Sequence, residues 1–345
     1  MPHTVTPIRP ASNPNLPEPK LPEPKLPEHV VAFEVSKHQL VVHMLPADRQ
    51  CTIANTPAAV RRVLSAELRH NQRAGLGAML VVCEATGGYE THVLEAAVEL
   101  GIEAHKAHGS RVRYFAKYRG LKAKNDPIDA RLIALYGQQT ENLVRYQPLG
   151  DDIKALRALQ ERRQDLIVML QGERNRLEHV TNAAVLRSLK ASIRALARAL
   201  AAIEAEIAEL LAREDALARK AQLMRTVPGV GPVVANTLLA HMPELGALPR
   251  GRPAALAGLA PYDNDSGQKK GRRSIDAGRS AVRRCLYMAA MAAVRVSPQL
   301  RAFADRIKTR GKPFKVAITA VMRKLIAIIN AVLATGQPCH YIRTA

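Results

Sequence analysis

Between residues 186 and 210 the chain carries an unbroken apolar seam. Leu186, Leu189, Ile193, Leu196, Leu200, Ile203, Ile207 and Leu210 recur at alternating spacings of three and four. With charged and alanine positions between them, such residues require a long helix that lays one face on another helix. Leu156, Leu159, Leu166, Leu170 and Leu177 put a similar, less regular stripe on a preceding helix. The pair predicts a helical arm over 149–221, read either as an antiparallel hairpin packing on itself or as a coiled-coil arm for dimerisation. Flanking domains must then lie on both sides, and 345 residues are enough for a core in each.

The segment before the arm reads as α/β. Residues 1–29 contain "LPEPKLPEPKLPEH", a five-residue repeat expected to be an extended, solvated tail. "HVVAFEVS" and "QLVVHML" follow as two strands of a hairpin turning at Lys37 and His38. Thr56-Pro57 opens a helix, "AMLVVCEATGG" is a buried strand ending in a glycine turn, and "YETHVLEAAVELG" is helical. "IEAHKA" is a further strand and "NDPIDARLIALYGQQ" a further helix, so an α/β domain is expected over 30–148. Past the arm, a mostly helical domain over 222–336 encloses a Gly- and Arg-rich segment, and 337–345 form a tail.

Net charge is +21, which predicts a polyanionic partner, nucleic acid before an anionic membrane. The most apolar run, "VAITAVMRKLIAIINAVLA", carries Arg323 and Lys324 at its centre. No stretch reaches the roughly 20 uninterrupted apolar residues that span a bilayer. Four cysteines, widely spaced and without a CxxC pair, read as reduced thiols and not as a zinc site. A cytoplasmic, nucleoid-associated protein without a membrane partner is expected.

Four acidic residues sit where chemistry would use them. Glu34 lies in the first strand, Glu84 ends the "MLVVCE" strand, and Asp126 and Asp129 lie one turn apart at a helix start. Buried carboxylates are costly unless a cation compensates them. Oxygen ligands and phosphate substrates suit Mg²⁺, and paired metals stabilise both oxygens of a phosphoryl transfer. Each residue also has a purely structural reading. Asp126 before Pro127 caps its helix, Asp129 suits the first turn, and Glu34 and Glu84 are ordinary strand residues facing solvent.

Two stretches in the second half carry further signals. "MRTVPGVGPVVANTLLAHM" is similar to a helix-hairpin-helix element, with Gly229 and Gly231 letting a phosphate approach the following helix, or is a plain αα-corner. "GLAPYDNDSGQKKGRRSIDAGRSAVRRCLYMAA" holds Lys269, Lys270, Arg272, Arg273, Arg279, Arg283 and Arg284, which neutralise phosphates. Ser266 in that segment is either a turn residue or a nucleophile towards phosphorus, with Ser274 and Ser280 as competitors.

Taken together, "FEVSK", "CEATGGY", "KNDPIDARLIA", "VPGVGPVVA" and the serine segment resemble, in order, the DEDD insertion-sequence transposases, relatives of the Piv site-specific DNA invertases. The resemblance runs from about Val30 to Leu333. It implies an RNase H-like, resolvase-like N-terminal domain, a coiled-coil arm and a helical C-terminal domain with a helix-hairpin-helix-like element. Residue by residue, the acidic tetrad falls on Glu34, Glu84, Asp126 and Asp129, with Glu34 where the family usually has aspartate. The serine nucleophile falls on Ser266. The resemblance further implies Mg²⁺, double-stranded DNA, a structured bridge RNA in transposase members, and assembly as a dimer or tetramer. Other readings are a Piv-like invertase, a metal-dependent structure-specific nuclease that needs no serine, and an inactive DNA-binding relative.

Overall fold

The structure, a computed structural model, describes residues 26–121, 126–262, 274–275 and 278–341. It divides into two compact units between Pro148 and Leu149.

In the first unit β1 (His29–Val35), β2 (Gln39–Leu45) and β3 (Arg49–Ala54) form an antiparallel meander. α1 (Pro57–Ala74) leads to β4 (Met79–Glu84), and α2 (Thr91–Glu99) leads to β5 (Glu103–Ala107). Both later strands run parallel to β1, which gives a mixed sheet of order β3-β2-β1-β4-β5. α3 (Gly109–Tyr118) and α4 (Asp126–Gln139) complete the unit. Alternation along the strands sorts two cores. Val31, Phe33, Val81 and Cys83 pack with Val60 and Leu64 of α1 and Val93 and Leu94 of α2. Val30, Ala32, Leu80 and Val82 pack with Leu132, Ile133 and Tyr136 of α4.

Local chemistry accounts for the boundaries. Thr56 Oγ1 accepts from Ala59 N at 3.3 Å and Pro57 begins α1, while Gly75 closes it in the left-handed region at φ 64°. Burial of both faces of β1 leaves its polar start needing partners. His29 Nδ1 meets Asn71 Oδ1 at 2.8 Å, and Arg49 donates to buried Glu67 at 3.0 Å, tying β1 and β3 to α1.

The second unit is helical. α5 (Asp151–Leu177) and α6 (Ala183–Arg213) form a hairpin joined by 178–182, its register marked by the Arg163–Glu204 ion pair at 2.7 Å. The seam behaves as a stripe: Leu189, Ile207 and Leu210 are buried, and Ile193, Leu196, Leu200 and Ile203 are half-buried. Two helices alone cover only part of such a face, which leaves the middle of the seam half-buried. Leu156, Ile207 and Leu210 belong to the core of the second unit, so the foot of the hairpin is continuous with the helices after it.

Those later elements are α7 (Asp215–Arg225), α8 (Pro232–His241), α9 (Arg252–Leu256), the short strands β6 (Pro261–Tyr262) and β7 (Ser274–Ile275), α10 (Ser280–Val296), α11 (Pro298–Thr309) and α12 (Phe314–Thr335). By length and composition α12 is a helix able to cross a membrane. Its residues Ile318, Val321, Met322, Leu325, Ile326, Ile329 and Val332 are instead buried in the core of the unit. Asn330, in the same helix, accepts from Gly246 N and donates to Leu248 O, each at 2.9 Å.

Candidate functional site

Glu34 and Glu84 are brought together by strand register. Phe33 of β1 pairs with Cys83 of β4 in parallel, so the next residues, Glu34 and Glu84, stand side by side at the same end of the sheet. Both take the face of Val30, Ala32, Leu80 and Val82, which α4 covers. Each is half-buried. The Glu84 carboxylate occupies the space beside Gly109, where a Cβ would collide with its Oε1. Gly109 is the first residue of α3, so the carboxylate rests at the positive end of a helix.

Asp126 opens α4, but its side chain lies outside the described residues. Asp129, one turn on, is half-buried on that helix. Among the described residues, no three His, Cys, Asp or Glu side chains are gathered to hold a metal. The donor chemistry nevertheless fits Mg²⁺, because every member of the set offers carboxylate oxygens.

A further acidic residue, Glu90, escaped the sequence reading. Its side chain is 1% exposed and its Oε2 accepts from Thr86 N at 3.2 Å, Thr86 Oγ1 at 3.1 Å and Gly88 N at 2.8 Å. Lys106 of β5 pairs with its other oxygen. Burial alone would raise its pKa, but Lys106 and the amides of Glu90 and Gly88 bring it down to about 2. Glu90 thus organises the turn directly after Glu84. The second acid of "CEATGGYE" was the available signal.

In the second unit the serine segment is closed at its root. β6 and β7 pair antiparallel, Pro261 opposite Ile275 and Tyr262 opposite Ser274, so the ends of the intervening stretch meet. Ser266, Lys269, Lys270, Arg272 and Arg273 lie in that stretch, outside the described residues. Beyond β7, Gly278 lies flat on the backbone of Gly258, and Arg279 N donates to Leu256 O at 3.1 Å. Arg279 turns inward: its Nη1 donates to His241 O and pairs with Glu244 Oε1, both at 2.6 Å. Arg283 is half-buried on α10, and Arg284 beside it is exposed.

The Pro228–Gly231 turn joins α7 to α8. Gly229 has φ 81°, and a Cβ there would strike Ala289 O and stand 2.6 Å from Ala293 N of α10. Its glycine character therefore serves close packing of this turn on α10, as an αα-corner requires. Gly231 is extended, faces open space and caps α8 without a side chain.

Comparison with known proteins matches two stretches of the chain, in order. Residues 31–186, holding all four carboxylates, match the transposase profile of DEDD proteins of the IS110 type. Residues 221–305, holding the Pro228–Gly231 turn and Ser266, match the transposase IS116/IS110/IS902 family. The pilin gene-inverting protein of Moraxella bovis is 29% identical over 262 residues, covering 75% of this chain and 81% of its own length. An uncharacterized 42 kDa protein of insertion element IS900 from Mycobacterium paratuberculosis is 29% identical over 221 residues, 61% of this chain and 54% of that protein. A 43.6 kDa protein of insertion element IS110 from Streptomyces coelicolor is 29% identical over 154 residues, 44% of this chain and 37% of that protein. With both profiles matched in order, the chain belongs to the IS110 family of DEDD transposases, a family of recombinases that includes relatives of the pilin-inverting proteins.

Proposed function

We propose that this protein cuts and rejoins DNA as the transposase of an insertion sequence, using an acidic site on an RNase H-like domain and a serine on the helical unit. The observation that supports the reading most is the register of β1 and β4, which sets Glu34 beside Glu84 on the sheet face that α4 covers. Glu34, Glu84, Asp126 and Asp129 would hold Mg²⁺, which when bound supplies positive charge at the scissile phosphate. Ser266 Oγ attacks phosphorus and its proton passes to solvent water. The P–O bond to the DNA sugar breaks, leaving a phosphoseryl link and a free DNA hydroxyl. In strand exchange a DNA hydroxyl attacks that link and releases the serine.

The half-buried middle of the α6 seam supports an arm through which copies assemble as a dimer or tetramer. The +21 charge supports a surface for duplex DNA together with a structured bridge RNA. A second reading, inversion of a defined DNA segment, is favoured by the likeness to the Moraxella bovis protein over 81% of its length.

The test is recombination on a supercoiled plasmid with and without the RNA transcribed beside the gene, read together with a denaturing gel for protein–DNA adducts. Ser266→Ala should abolish the adduct while leaving nucleic-acid binding intact, and normal cutting by this variant would refute the serine mechanism. Asp126→Asn and Asp129→Asn should each remove Mg²⁺-dependent cleavage. Glu34→Asp asks whether the site is rebuilt around the longer acid, in which case cleavage falls.

A further inference from the structure

Helix α3 carries an outward face that packing within its own unit does not explain. Val112 is buried, and Phe115 meets Tyr136 of α4 edge to face at 5.7 Å, so these residues seat the inward side of the helix. By the helical period Arg111, Arg113, Tyr114, Lys117 and Tyr118 fall on the opposite side, and all five are exposed. Tyr114 is 69% and Tyr118 86% exposed, the two highest values for a large apolar or aromatic side chain among the described residues. Such side chains scattered singly are ordinary on a protein surface. These two stand one turn apart on one face, in a chain with 8 tyrosines, 4 phenylalanines and no tryptophan.

The charge around the rings is of one sign. Residues 109–121 contain Arg111, Arg113, Lys117 and Arg119 and no Asp or Glu. Among the described residues none of these four cations pairs with a carboxylate. Arg113 Nε donates to Gly109 O at 3.2 Å, and Arg119 Nη1 donates to Gln139 Oε1 at 3.1 Å. Lys117 Nζ stands 5.9 Å from the Tyr114 ring centroid, which puts a cation and a stacking surface side by side. The acid nearest in the fold, Glu84, rests at Gly109, with Tyr114 and Tyr118 about 7.5 and 13.5 Å further along the helix axis. Exposed rings framed by cations without acidic partners match a strand whose bases are free to stack. A duplex, with its bases already stacked, would need the cations alone.

We propose that Tyr114 and Tyr118, with Arg111, Arg113 and Lys117, form a stacking platform that holds an unpaired DNA strand beside the acidic site. The platform rests on the DNA-cutting reading above. Position commits it to DNA: α3 begins at Gly109, against the Glu84 carboxylate, and the strand that is cut there is DNA. The two rings take bases by their faces, whatever the sequence, and the three cations take the phosphates between them. None of these residues makes or breaks a bond; they hold the strand in place.

The experiment titrates the full chain with a fluorescent single-stranded DNA oligonucleotide, the duplex formed from it, and an RNA of the same sequence, over salt from about 50 to 200 mM. Tyr114→Ala and Tyr118→Ala should each weaken single-strand DNA binding about tenfold at an unaltered salt slope, because stacking releases no counterion. Tyr114→Phe and Tyr118→Phe keep the ring and should stay within about twofold of the parent, as should duplex binding by the alanine variants. Arg111→Gln should reduce the slope of log K against log salt by about 0.7, the increment for one phosphate on a single strand. Unchanged single-strand binding in the Tyr114→Ala/Tyr118→Ala double variant, with a parental unfolding midpoint, would overturn the platform and leave the DNA-cutting reading standing. An equal loss on the duplex, or in the phenylalanine variants, would overturn it as well. A loss as large on the RNA would overturn its assignment to DNA. Failure of the parent chain to bind any of the three probes would instead refute the nucleic-acid reading.

Discussion

The turn at Thr86–Gly88 is built around a buried carboxylate, whereas the turn at Pro228–Gly231 is built around a missing side chain. In the first, Glu90 gathers two amides and a hydroxyl and is itself held by Lys106. In the second, Gly229 lets one backbone lie against another on α10. Both read in sequence as glycine turns before a helix. Their failure modes differ, because one depends on charge and the other on volume.

Substitutions can separate the two. The largest effect is expected from Gly229→Ala, which meets Ala289 O and Ala293 N at a positive φ. Overpacking and backbone strain together should cost about 3 kcal/mol in urea unfolding. Glu90→Gln keeps the volume and removes the charge, and should cost about 2 kcal/mol, reduced because Lys106 is 43% exposed. If the glutamine variant loses as much as Gly229→Ala, the two turns do not differ in the way described.

The same contrast has a pH signature. Glu90 sits at about 2 in the folded chain against an ordinary 4.5, so the folded state binds fewer protons in that window. Its stabilisation is complete above about pH 4.5 and is lost as pH falls towards 2. Acid titration of stability should therefore be flatter for Glu90→Gln and unaltered for Gly229→Ala. The smallest effect belongs to Gly231→Ala, which enters open space on extended backbone and should shift stability by less than about 0.5 kcal/mol. A large loss there would mean that the second turn is more tightly packed than its geometry indicates.

Legibility in the sequence tracks the reach of the forces involved. β1, β2, β4 and β5 are visible because buried strands need apolar runs, and α1 because Thr56-Pro57 is a local cap. β3, "RQCTIA", is missed: it lies at the sheet edge with its residues exposed or half-buried, and so lacks an apolar run. α3, "GSRVRYFAKY", is missed because it is short and polar, with Val112 as its buried residue. Glu34 and Glu84 are legible as strand acids, while their adjacency depends on a parallel register no local pattern encodes. Glu90 is overlooked and the inward turn of Arg279 unforeseen for one reason. Their charged or long-range partners, Lys106 for Glu90 and His241 and Glu244 for Arg279, are supplied by other segments of the fold.

Asn330 gives the apolar helix α12 an address. A smooth aliphatic helix on an aliphatic core can rotate or slide by a residue with little penalty, since one branched side chain substitutes for another. The Asn330 amide meets both Gly246 N–H and Leu248 C=O at a single rotation and a single axial setting. Any other seating strands a donor and an acceptor away from water, which is costlier than an imperfect aliphatic contact. Uniqueness of the second core is thereby concentrated in one polar side chain. The aliphatic residues around it are left comparatively free to interchange without the helix losing its place.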